Sequence, residues 1–412
     1  MLFKYKAKNA DGEMKEGEME AASQIELARM LRADGFYVLQ AKSEGEAKKV
    51  SLKSLSQLDV SAITDKIRGI PLEEKMMFSR NLSVMISSGI TLTRSLEVLE
   101  KQTQSYEFKK IIKKIANDIK KGKNFSDAVM EHPKAFDKLY ASMIKAGEVA
   151  GNMDEALNIL ASQLEKQHEL RSRIRGALMY PAVIIIAMTG IGILMMITVI
   201  PQLSEIFSDL GADLPPTTKA ILATSEFLTV YWWTLVFLLP VFLFAVKKFL
   251  GTSSGKRGLS LFLLHMPLFK KLSQQVNNAT FARTLGSLIS GGVPILEGIS
   301  ITSDTLSNVY YRESLVKAAE EVQKGENLFK VLEGYPNLYT PLLLEMIQVG
   351  EESGKLSELL ERVAGFYEEE VADATKNLSS IIEPVLMLFI GGAVGFFAIS
   401  IMQPIYGMLG QI

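Results

Sequence analysis

Residues Leu178–Ile200 read LMYPAVIIIAMTGIGILMMITVI, an uncharged apolar run with Pro181 near its start and Pro201 just beyond its end. A helix needs about 20 predominantly apolar residues to cross the hydrocarbon core of a bilayer. The run is therefore expected to span a membrane, and every other segment can be placed by the side of it on which it lies.

The remaining composition limits what such a chain can do. Charged residues make up 22% of its 412 residues and its formal net charge is -1, with a mean hydropathy of +0.18. That is too polar for a chain of membrane spans alone and too apolar for an ordinary soluble one. The near-neutral balance lacks the basic face of a nucleic-acid binder. With no cysteine, the chain has no disulfide, thiolate nucleophile or cysteine metal site. His132, His168 and His265 are scattered, with no i, i+4 pair, so no metal centre is expected. No catalytic set and no cofactor are expected either. The opening MLFKYKAKNADGEMKEG lacks the apolar core of a cleavable signal, so the chain is expected to begin in the cytoplasm.

Residues 1–43 read as a small ββαβ unit. Phe3, Tyr5 and Ala7 alternate, Asn9–Gly12 is a turn signal, and Leu27, Met30 and Leu31 fall at i, i+3 and i+4 before Gly35. Residues 44–70, rich in Ser, Lys and Glu, suit a linker. Residues 71–176 then show helical stripes: Phe78, Leu82, Met85 and Ile86; Leu92, Leu96 and Leu99; Ile112, Ile115 and Ile119; Leu157, Leu160 and Leu164. Amphipathic stripes in succession imply a cytoplasmic bundle in which each helix buries one face against its neighbours. The first span follows at 177–201 and an outer loop at 202–227. A second span is expected at 228–247, with Tyr231, Trp232 and Trp233 at its interfacial end. Residues 248–380 hold a second bundle from about 274. A third span covers 381–404, and 405–412 form a tail.

Flanking charge orients these spans. Arg171, Arg173 and Arg175 precede the first, and Lys247, Lys248, Lys256 and Arg257 follow the second. The 202–227 segment has Glu205, Asp209, Asp213 and Glu226 against Lys219 alone. The positive-inside rule puts both bundles and the N-terminus in the cytoplasm and the C-terminus outside.

The chain also repeats itself without a gap at an offset of 203 residues. Phe78 matches Phe281, Arg80 Arg283, Leu82 Leu285, Ile86 Ile289, Gly89 Gly292, Asn124 Asn327 and Pro133 Pro336. Met143, Gly147, Glu148, Gly151 and Leu157 match Met346, Gly350, Glu351, Gly354 and Leu360. The register enters the membrane with Pro181 and Pro384, Gly192 and Gly395, Pro201 and Pro404. Glycine and proline mark turns and helix ends, so their coincidence does not come from generic helical composition. Two parallel units need a return helix, which is the role of the unpaired second span. The expected fold is an all-α membrane protein of two repeated helical bundles and three transmembrane helices, with a small N-terminal α+β unit.

The duplicated G-E-x-x-G, the Tyr180-Pro181 and Glu383-Pro384 heads of the outward spans, Phe3-x-Tyr5-x-Ala7 with Gly12 and Gly17, and Pro404-Ile405-Tyr406 together carry a resemblance. Over nearly the whole chain, the sequence resembles the inner-membrane platform proteins of type IV pilus and type II secretion machines, the PilC/GspF family. The resemblance implies a non-enzymatic hub in a bacterial inner membrane. Its partners would be a hexameric assembly ATPase in the cytoplasm, pilin or pseudopilin subunits in the membrane, other inner-membrane assembly proteins and further copies of itself. The chain has no GxxxxGK[ST] loop, so ATP-driven work would come from a partner.

Two residue groups are singled out. Gly147, Glu148 and Gly151, with Gly350, Glu351 and Gly354, are expected in turns between helices, either contacting a partner or with each Glu capping the helix that follows. Tyr180, Pro181, Glu383 and Pro384 head the spans. Glu383 is the one acid inside an apolar run, a position costly enough to suggest a role, such as receiving a subunit's positive N-terminus, unless it reaches water at the cytoplasmic edge. Pro201 and Pro404 are expected to end helices. Gly190, Gly192, Gly391, Gly392 and Gly395 suit close helix packing. An intramembrane aspartyl protease would need paired aspartates, which the spans lack, and three spans are few for a solute path.

Overall fold

A computed structural model of the chain describes residues 2–9, 14–21, 24–43, 69–209 and 215–409. The expected turn at Asn9–Gly12, most of the expected linker, and Asp213 lie outside the described residues. The chain divides into two compact units, Met1–Thr64 and Asp65–Ile412.

The first unit is a three-stranded antiparallel sheet with one helix, in the order ββαβ. Strands β1 (Leu2–Asn9), β2 (Met14–Glu20) and β3 (Phe36–Ser43) lie in the order β2-β1-β3. Tyr5 sits opposite Gly17 and lays its ring over it; a Cβ on Gly17 would come within 3.2 Å of the phenolic oxygen. Glycine in a strand often marks such a close approach. Helix α1 (Gln24–Ala33) buries Leu27 and Leu31 with Tyr5 and Ala7. Met30, expected on the same stripe, is exposed instead: the sheet is narrow, and an i, i+4 pair suffices to cover it.

In the second unit the 203-residue register becomes a register of helices. The first set is α2 (Leu72–Ser87), α3 (Leu92–Gln102), α4 (Tyr106–Lys120), α5 (Phe125–Met130), α6 (Lys138–Ala150) and α7 (Met153–Asp209). Between the sets stand α8 (Pro216–Gly251) and α9 (Ser253–His265). The second set is α10 (Pro267–Ser290), α11 (Ile295–Thr305), α12 (Val309–Gln323), α13 (Leu328–Glu333), α14 (Pro341–Ser353) and α15 (Leu356–Leu409). From α11 to α14, each helix begins and ends 203 residues after its partner.

The two cores match as well. Phe78, Phe108 and Phe136 cluster in the first, with Phe78 and Phe136 centroids 5.9 Å apart and Phe108 and Phe136 5.8 Å apart. Their counterparts are Phe281, Tyr311 and Tyr339, with matching contacts of 5.7 and 5.2 Å. A buried tyrosine must satisfy its hydroxyl. Tyr339 shares a 2.7 Å hydrogen bond with Ser314, and Tyr311 donates to the Leu338 carbonyl.

Two helices, Met153–Glu205 and Leu356–Gln403, are long and apolar enough to cross a membrane. Their apolar stretches face outward, with Ile186 71% and Leu388 77% exposed. Such surface is untenable in water and natural in lipid. A third candidate consists of Phe237–Gly251 and Ser253–His265, bent by 86° at the break between them. Helix α8 is also bent at Tyr231, where φ is -111° and ψ is 22°.

Neither Pro201 nor Pro404 ends its helix: α7 runs on to Asp209 and α15 to Leu409. A proline inside a helix orphans the carbonyl four residues earlier. For Pro404 that carbonyl belongs to Ser400, and it accepts a 2.7 Å hydrogen bond from Thr218 Oγ1. Beside Pro201, Ser225 Oγ donates to the Met196 carbonyl at 2.5 Å. Thr218 and Ser225, two turns apart on α8, thus tie the outer ends of both long helices. At Pro404 the threonine re-satisfies the freed carbonyl itself, the kind of bond that permits proline within an apolar helix, whereas Met196 lies one residue before the Ile197 carbonyl that Pro201 frees.

Candidate functional site

The paired G-E-x-x-G motifs lie in the last turn of α6 and of α14, not in turns between helices. A short helix begins with unpaired backbone N–H groups. At α5 the flanking Asn124 makes no side-chain cap. Instead the Glu148 carboxylate accepts from Phe125 N at 2.8 Å and Ser126 N at 3.2 Å, and from the Ser126 hydroxyl. In the second repeat, Glu351 accepts from Leu328 N at 2.7 Å and Phe329 N at 3.1 Å, the same cap on α13. Each Glu thus caps the short helix that precedes it in the chain rather than the helix that follows.

The glycines complete the motif. A Cβ on Gly147 would sit 2.5 Å from the Ala156 Cβ, and one on Gly350 2.8 Å from the Leu356 Cα, so both must be bare for the next helix to pack. Gly151 and Gly354 end their helices in the left-handed region, at φ 74° and 69°. The residues between differ in exposure from the capping acids: Val149 is 84% exposed and Glu352 is also exposed, whereas Glu148 and Glu351 are half-buried. Each motif is therefore an internal clamp with an exposed outer rim. The two clamps are closed separately, one in each repeat.

At the heads of the membrane helices, Tyr180, Glu383 and Pro384 are exposed and Pro181 is buried. Among the described residues, no ion pair reaches Glu383. A cavity of about 380 Å³ opens midway along α7, just before its apolar stretch, lined by Ala177, Leu178, Lys256, Phe269, Val276 and Thr375. Its walls come from both repeats.

An ion pair that spans each bundle escaped the reading of the sequence. Arg80 bonds Glu165 at 2.6 Å, and Arg283 holds Glu368 through two bonds of 2.8 and 2.9 Å. Glu165 and Glu368 stand 203 residues apart, so the repeat register was the signal that would have found them. Thr218 and Ser225 offered no such signal, because α8 has no counterpart.

Comparison with known proteins follows the same divisions. The family model described as type II secretion system (T2SS), protein F matches residues 78–201 and again 281–404. The model of that protein's N-terminal domain matches residues 1–42. The chain is 34% identical to the type IV pilus assembly protein PilC of Thermus thermophilus, covering 100% of this chain and 99% of the relative. It is 31% identical to the type II secretion system protein F of Xanthomonas campestris, with coverage of 100% and 99%. It is 32% identical to PilC of Myxococcus xanthus, with coverage of 100% and 95%. Duplicated bundles, duplicated clamps and full-length likeness agree, and the chain belongs to the type II secretion protein F family, whose members include the PilC proteins of type IV pilus assembly.

Proposed function

We propose that this protein is a non-enzymatic platform in a bacterial inner membrane. It couples a hexameric assembly ATPase in the cytoplasm to the insertion of pilin or pseudopilin subunits into a filament, alongside other inner-membrane assembly proteins. The observation that carries this reading is the unbroken passage from bundle to membrane in both repeats. Helix α7 begins in the core of its bundle and continues for 57 residues, about 85 Å at the helical rise. A helix without a joint transmits a push or turn applied to its bundle into the bilayer, where a two-part molecule would bend.

In this reading the chain crosses the membrane three times, with its N-terminus cytoplasmic, its C-terminus periplasmic and the second crossing at 228–247. The ATPase contacts the rims of the two clamps, Gly147–Gly151 and Gly350–Gly354, through the exposed Val149 and Glu352. Glu383, which heads the third span with Pro384 as Tyr180-Pro181 heads the first, receives the positive N-terminus of an incoming subunit, since an acid in an apolar run gains most from a cation.

Deletion of the protein is expected to abolish filaments, and wild type to restore them. Filaments of normal number in the deletion strain would overturn the platform reading. Val149→Asp is expected to reduce copurification of the ATPase without moving the melting temperature, and Glu383→Gln to lower filament assembly in a protein of unchanged abundance.

A further inference from the structure

The two repeats of one chain meet through unlike faces. Repeat 1 contributes α6 and α7: Lys138 Nζ pairs with Asp304 at 2.7 Å, Ser142 Oγ donates to Glu297 at 3.0 Å, and Gln163 bonds Thr284 and Ser287 at 3.3 and 3.0 Å. Repeat 2 contributes α10, α11 and the side of α15 that runs along α7, with Leu288, Val293 and Ile301 completing the apolar core of repeat 1. Met143 lies over Gly291 so closely that a Cβ there would stand 2.4 Å from its methyl carbon. Because the contact is heterologous, each repeat retains a face of the kind the other has used. Among the described residues, no hydrogen bond or ion pair to the other repeat is made on the α2–α3 face of repeat 1 or at the α14–α15 positions of repeat 2 that correspond to Ser142 and Gln163.

The offset of 203 residues identifies what these two faces present. In place of Glu297 and Asp304, repeat 1 has Arg94 and Lys101. In place of Ser142 and Gln163, repeat 2 has Glu345 and Phe366. The used contact sets a base on α6 against acids on α11. The leftover faces reverse the signs, with bases on α3 and an acid on α14. Both expose apolar side chains where a partner would cover them: Val84 at 59% on one, Val349 at 49% and Phe366 at 45% on the other.

We propose that the α2–α3 face of one copy docks on the α14–α15 face of the next, repeating between chains the contact that joins the repeats within one. Arg94 then faces Glu345 where Glu297 faces Ser142. The sign reversal also excludes wrong pairings. An α3 face of Arg94 and Lys101 repels an α6 face bearing Lys138 and Lys145, and Glu345 repels Glu297 and Asp304. Specificity arises from such repulsion as much as from attraction. The repeats therefore alternate around the assembly.

Arg94 is available for the contact. It is exposed, and its i+3 partner Glu97 is also held by Lys120 at 2.7 Å. Ser88 replaces Gly291, so Met346 cannot approach as closely as Met143 does, but an unbranched thioether chain adapts to such a change. The closure of the assembly rests on the reading above, that both long helices cross the same bilayer in the same sense. The step from one repeat to the next is then a rotation about the membrane normal without translation. A head-to-tail contact repeated by rotation alone closes into a ring when its angle divides a full turn.

The chain has no cysteine, so the full-length protein can be tested in native membranes with Ser88→Cys and Met346→Cys, the counterparts of the closest pair in the used contact. Coexpression of the two single variants, treated with a short bismaleimide, is expected to give a crosslinked dimer. Each variant alone is expected to give at least tenfold less. The double variant should give a ladder of multimers that stops at the ring size. An uncrosslinked coexpressed pair, or equal crosslinking by either variant alone, would overturn the proposal. Independently, Arg94→Glu should remove the oligomer from native mass spectra and adding Glu345→Arg should restore it; an oligomer unchanged by Arg94→Glu counts against the surface. If the deletion strain loses filaments while the coexpressed pair stays uncrosslinked, the platform reading stands and only the docking surface is wrong.

Discussion

At the scale of the residue, the duplicated glutamates hold together segments that sequence alone leaves unconnected. Glu148 reaches back across 23 residues to the start of α5, and Glu351 does the same for α13. Replacing either by Ala strands two half-buried N–H groups, at a cost of about 1–3 kcal/mol. The expected result is a lower melting temperature in detergent, with Gln less damaging than Ala because its amide oxygen still accepts. A second residue-scale prediction concerns His132. Its Nε2 is buried without a partner, and burial, reinforced by Lys114, holds the imidazole below its usual 6.5. As the pH falls through that value, the unfolded chain takes up a proton that the folded protein resists. Stability present above about pH 6.5 is therefore lost below it. Melting curves recorded from about pH 7.5 to about pH 5.5 should fall more steeply for wild type than for His132→Gln.

At the scale of the element, the long helices depend on partners for their outer ends. Proline at 404 leaves the Ser400 carbonyl to Thr218. Thr218→Val should therefore cost about 1 kcal/mol. In Pro404→Ala a backbone N–H returns to that carbonyl, so the same threonine substitution should then be nearly silent. A double-mutant cycle in detergent melting is expected to show the coupling as about 1 kcal/mol. The proline positions were legible as a repeated pair, and their effect was not: a helix end was expected and a continuous helix is present. Proline chemistry fixes which bond is missing, but only neighbours supplied by a distant segment decide whether the helix survives the loss.

At the scale of the whole molecule, orientation is the property open to direct measurement. Alkaline phosphatase fused after Asp213 or at the C-terminus should be active, and fused after Thr252 it should be inactive. Activity of the Thr252 fusion would remove the return crossing at 228–247 and place the second bundle outside.

The two-bundle plan, the apolar helices and the match between repeats follow from local rules. Apolar period, turn glycines and uncharged length are each set within a few residues, and a duplication prints them twice at one offset. The β-β-α-β order of the N-terminal unit was readable for the same reason. The contacts of Glu148, the Arg283–Glu368 pair and the threonine on Ser400 join positions from 22 to 182 residues apart. No local period encodes such distances, and only the folded chain brings their atoms within bonding range. The run at Leu178–Ile200 determined by itself that the protein meets a membrane. That its helix begins inside a bundle, continues past Pro201 and is pinned at its far end by α8 was decided by tertiary structure, because freed carbonyls and open helix faces take whichever partners the fold delivers.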